Sequence, residues 1–294
     1  MAKSHVLLEL RVHSVDDPPM TKSIQFKVAG PEKGLQLIAL LSRRLKLSRN
    51  EAKRHIDSRQ VFVNQQRIWM ARHEVMSGDI IEVHGQIEAD AEAPVDILWQ
   101  DDYYVIINKP SGWLANGPDS IEERLKKQEK REVYAVHRLD RETSGCMLLA
   151  WNKPDMDKMI PVFQRREVKK VYEGLVIGKI PDDLSVINRT VEGEEAVTIV
   201  KILRRNKMFS RLEFILVTGR THQIRRHLTA IDLHLAGEKK YGATTLDLPI
   251  LRVLNRHMLH AKVLGFPHPY TEKPVEARAA LPEDYRQAAR ALGV

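Results

Sequence analysis

One carboxylate lies among cations in the stretch HRLDRETSG, which spans residues 137–145. Asp140 follows Arg138 by two residues and precedes Arg141 by one, and the apolar run CMLLAW begins directly after Gly145. A carboxylate in such a setting can act as a nucleophile or a general base, or it can cap a helix or pair with a surface arginine. The turn residues ahead of a buried-strand pattern predict that Asp140 is held at the start of a core strand.

Two further stretches carry residue types that could complete a reactive site. VKKVYEGLV, residues 168–176, places Tyr172 inside a strand-like run. VTGRTHQIRRHL, residues 217–228, places Arg220 at the opening of a basic helix. Each residue alone also has an ordinary explanation, Tyr172 as a half-buried strand residue and Arg220 as a solvated charge.

The composition indicates a soluble globular protein with a polyanionic partner. The 294 residues are 43% hydrophobic and 29% charged, and the net charge is +8. A basic surface gains free energy by releasing counterions from phosphate backbones, which favours a polyanionic partner such as a nucleic acid. No apolar stretch is long enough to cross a bilayer and no secretory signal pattern is present, so we expect a cytoplasmic protein without a membrane partner. The single cysteine, Cys146, is expected to be a small buried hydrophobe.

The motifs that are missing narrow the chemistry. No GxG string occurs, and Gly112 and Gly117 have P-loop spacing but are followed by Pro118 instead of lysine. The sequence contains no HExxH. His222 and His227 fall on different helix faces, and a zinc deaminase set cannot be built from one cysteine. We therefore expect no metal, and we expect structural or RNA-contact roles for the histidines.

Residues 34–83 have the pattern of a small α+β unit. Leu37, Leu41 and Leu45 recur at helical spacing, and a second helix is predicted to begin at Ser48. Two short strands, VFVNQQRI and DIIEV, follow. Residues 84–96 are acidic, alanine-rich and typical of a linker, and residues 1–33 form an N-terminal extension. The helices carry a concentration of cations that is either an RNA-binding edge or a solvated face: Arg43, Arg44, Lys46, Arg49, Lys53 and Arg54.

Residues 97–294 alternate irregularly between strand and helix patterns. This predicts an α+β domain with a large mixed, mostly antiparallel sheet. With VIINKPSGW and RHMLHAKVLGFPHP, the three reactive stretches resemble the ordered motifs of the RluA-type RNA pseudouridine synthases. The helix pair followed by VFVN resembles the alpha-L type RNA-binding domain that often precedes them. The resemblance implies the pseudouridine synthase fold. It also implies isomerisation of uridine in structured RNA, with ribosomal RNA favoured over transfer RNA. The enzyme is expected to be a monomer that needs no cofactor.

The resemblance also implies residue roles. Asp140 would act at C1′ of the ribose, either as a nucleophile or by taking a ribose proton to give a glycal. Arg220 would pair with Asp140 inside a dry pocket. The ring of Tyr172 would stack on the flipped base, and its hydroxyl would serve in proton removal from C5. Arg138 would enter the RNA where the flipped uridine had been.

RNA contacts are expected from several further cations. Of the pair on the predicted helix, Arg225 and Arg226, one is expected to face phosphate, and Lys109 is expected to do likewise from the Lys-Pro turn. In the small domain the expected RNA contacts are Arg43, Arg44, Arg49, Lys53 and Arg54.

Two other functions stay open at this point. A non-catalytic RNA-binding or ribosome-assembly protein would share the basic small unit, and a base glycosylase would share a carboxylate at C1′. Three departures from the family pattern concern substrate-loop detail: Gly237-Glu238 where Gly-Asp is usual, HLAG in place of a proline-containing string, and NQQR in place of Asn-Gly.

Overall fold

The computed structural model describes residues 23–45, 47, 49–84, 94–242, 251–252 and 254–294, apart from the side chains of Arg49, Asn50, Glu51 and Arg54. The chain divides into two compact units at the Ala93–Pro94 junction. Most of the predicted linker, 84–96, lies outside the described residues. Within the described part of the chain, no helix is long and apolar enough to cross a membrane.

The first unit packs two helices on a four-stranded sheet. Its sheet has the strand order β1-β4-β2-β3. Leu37, Leu41 and Ile56 of the helices are fully buried together with Val61 and Ile81 of the sheet. The predicted helix pair and the strands after it are therefore confirmed. The elements are β1 (Ser23–Lys27), α1 (Leu37–Leu45), α2 (Arg49–Asp57), β2 (Val61–Val63), β3 (Gln66–Arg67) and β4 (Ile80–His84).

The first unit begins earlier than the predicted boundary at residue 34. Strand β1 pairs antiparallel with β4, from Ser23 opposite His84 to Lys27 opposite Ile80. Because these main-chain hydrogen bonds complete the sheet edge, residues 23–33 belong to the unit and are not an extension outside it. The N-terminal 22 residues of that predicted extension lie outside the described residues.

The second unit is built on one large sheet. Among the described residues it has eleven strands, with the path β10-β11-β12-β9-β14-β8-β6-β5 and with β13, β15 and β7 attached to β9, β14 and β8. The pairings are antiparallel except for β8 with β14, so the predicted mixed, mostly antiparallel α+β sheet is confirmed. Its elements are β5 (Ile97–Gln100), β6 (Tyr104–Lys109), α3 (Ile121–Glu129), β7 (Tyr134–Ala135), β8 (Ser144–Ala150), α4 (Lys153–Gln164), β9 (Lys169–Ile177), β10 (Val186–Asn188), β11 (Val197–Arg205), β12 (Phe209–Leu216), α5 (Gln223–Thr229), β13 (His234–Leu235), β14 (Leu259–Pro267), β15 (Pro274–Arg278) and α6 (Glu283–Leu292).

Strand β8 lies in the middle of this unit and is buried along its whole length. Its alternate side chains serve two cores: Met147 and Leu149 face the layer that contains α3, whereas Cys146 and Leu148 face the layer that contains α4. Burial on both faces explains the uninterrupted apolar run after Gly145. The prediction that Cys146 is a small buried hydrophobe is confirmed.

Gly145 lets β8 approach β14 at the one parallel pairing of the described sheet. Gly145 pairs with Ala261, and its φ of 113° lies in the left-handed region. A β-carbon at this position would lie 2.1 Å from the carbonyl oxygen of Ala261. Any side chain here would force the two strands apart, so the glycine fixes the start of β8 relative to β14.

Replacing Gly145 by alanine should therefore destabilise the protein by roughly 3 kcal/mol or more, because backbone strain and a backbone clash add. The matched control is Gly193→Ala, at φ 81° with no atom within 4 Å of the added carbon. It should cost only the strain of the left-handed region, about 1 kcal/mol. Urea unfolding measures both, and equal losses would contradict the close-approach argument.

Candidate active site

Asp140 lies in the turn that leads into β8. The N–H of Thr143 donates to the carbonyl of Asp140 over 3.1 Å, which closes the turn. Oγ1 of Thr143 lies 2.8 Å from Nε2 of His257, and Oγ of Ser144 lies 2.9 Å from Nδ1 of His260. These four partners are buried and tie the start of β8 to the start of β14. The Asp140 side chain is 21% exposed, so this rigid turn presents a carboxylate that solvent and substrate can reach.

Lys109 supports the same turn from beneath and is not a surface cation. It is fully buried, and Nζ donates to the carbonyls of Pro110, Trp113 and Arg141 at 3.0, 2.9 and 3.1 Å. Burial, helped by neighbouring arginine charges, lowers the pKa of Lys109 to about 7. The prediction that Lys109 contacts RNA phosphate is wrong, because its Nζ is buried and hydrogen-bonded to main-chain oxygens.

Arg225 joins the Asp140 turn to a second carboxylate, that of Glu238, which is buried. Its Nη1 donates to Oδ2 of Asp140 over 2.9 Å, while Nε and Nη2 donate to the two carboxylate oxygens of Glu238 over 2.7 Å each. The Arg225 side chain is 8% exposed. Burial acts to lower the pKa of Arg225, but the hydrogen bonds that it donates to both carboxylates outweigh burial, and the pKa is raised. The expectation of a phosphate contact does not hold for Arg225, since its donors are used inside the protein.

Arg220 does not pair with Asp140, contrary to the prediction. Its guanidinium forms an ion pair with Glu194, and Nε donates to the carbonyl of Glu195 over 3.1 Å. The cause is the turn before α5: the N–H of Arg220 donates to Oε1 of Gln223, which fixes this residue outside the helix and toward the loop at 189–195. The cation beside Asp140 comes from inside the helix instead.

Glu238 is a site residue that the sequence analysis treated only as a departure from a family pattern. Its side chain is 2% exposed and, besides Arg225, accepts the main-chain N–H groups of Lys240 and Tyr241 at 2.8 and 3.2 Å. Burial alone would raise the pKa of this carboxyl, but the hydrogen bonds from Arg225 and Lys240 lower it to about 2. The sequence signal for this role was its position directly after a glycine, a residue type common in sharp turns, and in the structure Gly237 has a φ of 79°.

His222 approaches the other oxygen of the Asp140 carboxylate. Its Nε2 lies 3.4 Å from Oδ1 of Asp140, and its Nδ1 lies 2.5 Å from the hydroxyl of Tyr241. Burial, together with nearby cations, lowers the pKa of His222 against the opposing influence of Asp140. The sequence analysis expected a structural or RNA-contact role for His222 and did not predict its proximity to Asp140.

Tyr172 reaches the same region from β9. It pairs with Phe214 of β12 and with Ala261 of β14, the residue on which Gly145 packs. Burial, with a contribution from the Asp140 charge, raises the pKa of the Tyr172 hydroxyl. The two residues predicted from separate motifs, Asp140 and Tyr172, are thus within electrostatic reach of each other.

The remaining predicted RNA contacts of the second unit differ in availability. Arg138 is exposed and, within the described part of the chain, its side chain forms no ion pair. Arg226 is partnered: Nη2 donates to Glu192 over 2.5 Å and Nε donates to the hydroxyl of Tyr241 over 3.2 Å. Arg138 is therefore the predicted contact that is free to meet a ligand.

The predicted cationic edge of the first unit is only partly free. Arg43 is exposed. Arg44 donates twice to Glu32, over 2.7 and 2.8 Å, and Lys53 donates to Asp57 over 2.6 Å. The side chains of two predicted contacts lie outside the described residues, namely Arg49 and Arg54.

The arrangement suits chemistry on one substrate atom. A carboxylate can attack an electrophilic carbon or remove a proton only if it is held in position and remains reachable. Asp140 satisfies both conditions through its rigid turn, the Arg225 hydrogen bond and its partial exposure. Among the described residues, no group of three or more histidine, cysteine, aspartate or glutamate side chains could hold a metal ion.

In sequence and in structure, this chain is similar to RNA pseudouridine synthases. Residues 103–230 match the sequence family described as RNA pseudouridylate synthase. Ribosomal large subunit pseudouridine synthase D of Yersinia pestis is 32% identical, over 83% of this chain and 86% of its own length. The protein of the same name from Escherichia coli K12 is 30% identical, over 81% and 84%. The human RNA pseudouridylate synthase domain containing 4 superposes with a TM-score of 0.58 at 26% identity, covering 67% of this chain and 93% of its own.

Glu238 should contribute stability that disappears in acid. The unfolded carboxyl titrates near its ordinary pKa of 4.5 and the folded one near 2, so between these values the unfolded chain binds the extra proton and stability falls as the pH falls. Glu238→Gln should therefore be less stable than the parent by roughly 2–3 kcal/mol at pH 7, and this deficit should shrink as the pH falls from about 5 to 3.

Chemical denaturation at several pH values measures this deficit. The control is Glu132→Gln, which removes an exposed ion pair with Lys126 and should change stability by less than about 1 kcal/mol. A Glu238→Gln deficit that stays constant from pH 7 to pH 3 would contradict the role given to the buried pair.

Proposed function

Because the chain belongs to the RluA-type family of RNA pseudouridine synthases, we propose that it isomerises specific uridines of ribosomal RNA and that Asp140 acts at the ribose of each target. The enzyme class follows from the 32% identical relative, of which the chain covers 86%. The observation that carries the residue assignment is the reachable carboxylate of Asp140, held by Arg225 at 2.9 Å. Family membership favours an enzyme over the non-catalytic RNA-binding alternative and over a glycosylase.

The isomerisation exchanges one bond at C1′ for another. The bond from N1 to C1′ breaks, the uracil turns, and C5 bonds to C1′; the C5 proton is lost and N1 gains one. Asp140 can attack C1′ and later leave, or it can take a ribose proton and return it as the new bond forms. Both routes leave the enzyme unchanged and involve no oxidation, so the proposal requires no cofactor.

Arg225, rather than Arg220, is the cation that serves Asp140 in this proposal. Its guanidinium balances the charge of the carboxylate and orients it with one hydrogen bond, while the bidentate pair with Glu238 fixes the guanidinium itself. Arg220 lies on a half-exposed turn, where RNA phosphate could replace Glu194 as its partner.

Tyr172 is proposed to stack on the target base. Stacking of a base on an aromatic ring is worth about 1–3 kcal/mol, which offsets part of the cost of flipping the uridine out of its helix. The raised pKa of its hydroxyl means that this group is protonated in the resting enzyme. A hydroxyl that takes the C5 proton must therefore pass its own proton on in the same step.

Binding of RNA is proposed to use Arg138 and the first unit. Arg138 is exposed two residues before Asp140, as an inserting side chain must be if it fills the space of a flipped base. The first unit is proposed to be the alpha-L type RNA-binding domain, with Arg43 as an exposed phosphate contact. Ribosomal RNA is the proposed substrate because the relatives are named as ribosomal large subunit enzymes. The protein is further proposed to act as a monomer in the cytoplasm.

The decisive experiment maps pseudouridines in all cellular RNA with and without the protein. Deletion of the gene should remove one or a few pseudouridines from ribosomal RNA, and the wild-type chain should restore them while Asp140→Asn does not. With RNA tritiated at C5 of uridine, Asp140→Asn should release label at least about a thousandfold more slowly than wild type in single turnover.

Asp182→Asn is the matched control, since this aspartate is 85% exposed and its one ion pair among the described residues is with Arg205. It should restore every pseudouridine. Loss of pseudouridines from transfer RNA alone would overturn the substrate assignment, and label release by Asp140→Asn at the wild-type rate would overturn the assignment of Asp140.

A further inference from the structure

His222 occupies a backbone position that costs free energy. It precedes α5 with φ 55° and ψ 30°, in the left-handed region, and its side chain does not cap the helix. This conformation costs a residue with a β-carbon about 1 kcal/mol or more. It is kept only where the surrounding structure enforces it. This backbone conformation places the imidazole between Asp140 and Tyr241.

The hydrogen-bond partners of Tyr241 fix which nitrogen of His222 carries the proton. Nε of Arg226 lies 3.2 Å from the Tyr241 hydroxyl, and a guanidinium can only donate. The hydroxyl therefore accepts from Arg226. Among the described residues, Nδ1 of His222, 2.5 Å away, is the one acceptor within hydrogen-bond distance of the hydroxyl proton, so the hydroxyl donates to Nδ1. Because Nδ1 accepts, a neutral imidazole must carry its proton on Nε2, the atom that faces Oδ1 of Asp140 at 3.4 Å.

The charges around the ring favour the neutral form. The groups that face His222 are Asp140 from the turn before β8, Arg225 and Arg226 from α5, and Lys240 and Tyr241 from the segment after β13. Three of these are cations, and together with burial they outweigh the single carboxylate. The guanidiniums of Arg225 and Arg226 lie 5.0 and 5.2 Å from the centre of the Tyr241 ring, and these cation–π contacts help to fix the ring in position.

From this chain of contacts we infer that His222 is a positioning residue for Asp140. In its neutral form with the proton on Nε2, it donates to Oδ1 once substrate is bound, while Arg225 holds Oδ2 throughout, and Arg226 and Tyr241 set its tautomer. The present separation of 3.4 Å is long for a hydrogen bond and shortens to one with a shift of about half an ångström, as catalytic contacts often do on substrate binding. The inference rests on the proposed role of Asp140, because a held carboxylate matters only if it reacts.

The tautomer can be measured without any assay of activity. In protein labelled with ¹⁵N at histidine, His222 should show an unprotonated Nδ1 and a protonated Nε2 at neutral pH. Tyr241→Phe should abolish this fixed pattern, because no hydroxyl then donates to Nδ1. A wild-type spectrum with the proton on Nδ1 would overturn the inference whatever the reaction catalysed.

Single-turnover label release at saturating RNA tests the consequence for catalysis. His222→Ala should slow the reaction about ten- to a hundredfold, the effect of one hydrogen bond to a charged group, with RNA affinity changed less than threefold. His222→Gln, which keeps an N–H donor, should recover part of the rate. Tyr241→Phe should slow the reaction, and the double variant Tyr241→Phe with His222→Ala should be no slower than His222→Ala alone.

Tyr270→Phe is the control, because it removes a tyrosine hydroxyl whose carboxylate partner, Asp155, is outside this site. It should release label at the wild-type rate. A His222→Ala rate equal to wild type, or additive losses in the double variant, would overturn the inference while leaving the proposed function intact. Failure of the proposed function would look different, since the wild type would then release no label or Asp140→Asn would release it.

Discussion

The site depends on one buried arginine that is shared by two carboxylates. Arg225 donates two hydrogen bonds to Glu238 and a third to Asp140, and only 8% of its side chain is exposed. Taking such charges out of water costs several kcal/mol per ion, and the cost is recovered only when the geometry satisfies every partner. Glu238 also accepts two main-chain N–H groups, so its position is fixed by the backbone. Through the guanidinium, that fixed position is transmitted to Asp140.

The sheet supplies the other half of this constraint. Asp140 can meet a residue of α5 only if the turn before β8 is immobile, and four contacts make it so. Lys109 binds the carbonyl of Arg141 from inside, two hydroxyl–imidazole pairs tie β8 to β14, and Gly145 permits the close parallel pairing. The side chains that make these contacts are buried, so core packing fixes the position of one partly exposed carboxylate.

Much of the fold and part of the site could be predicted from the sequence. Helical spacing of Leu37 and Leu41 and the apolar run after Gly145 follow from period and burial, which are local properties. The choice between Arg220 and Arg225 depends on tertiary contacts: both belong to one motif, but Arg220 pairs with Glu194 and Arg225 donates to Asp140. Lys109 was predicted to be a surface cation because its burial against three carbonyls depends on the tertiary fold. Glu238 was treated as a departure from a family pattern because its pairing with Arg225 depends on how the chain turns back after α5.

Exchange of each arginine for lysine, followed by single-turnover pseudouridine formation at saturating RNA, tests the shared-arginine claim most directly. Lysine keeps the charge but cannot span two carboxylates with one ammonium group. Arg225→Lys should slow the reaction about a hundredfold or more, the effect of losing the fixed geometry of the carboxylate, whereas Arg220→Lys should stay within about threefold of wild type. Loss of activity in Arg220→Lys with a near-normal Arg225→Lys would contradict the account.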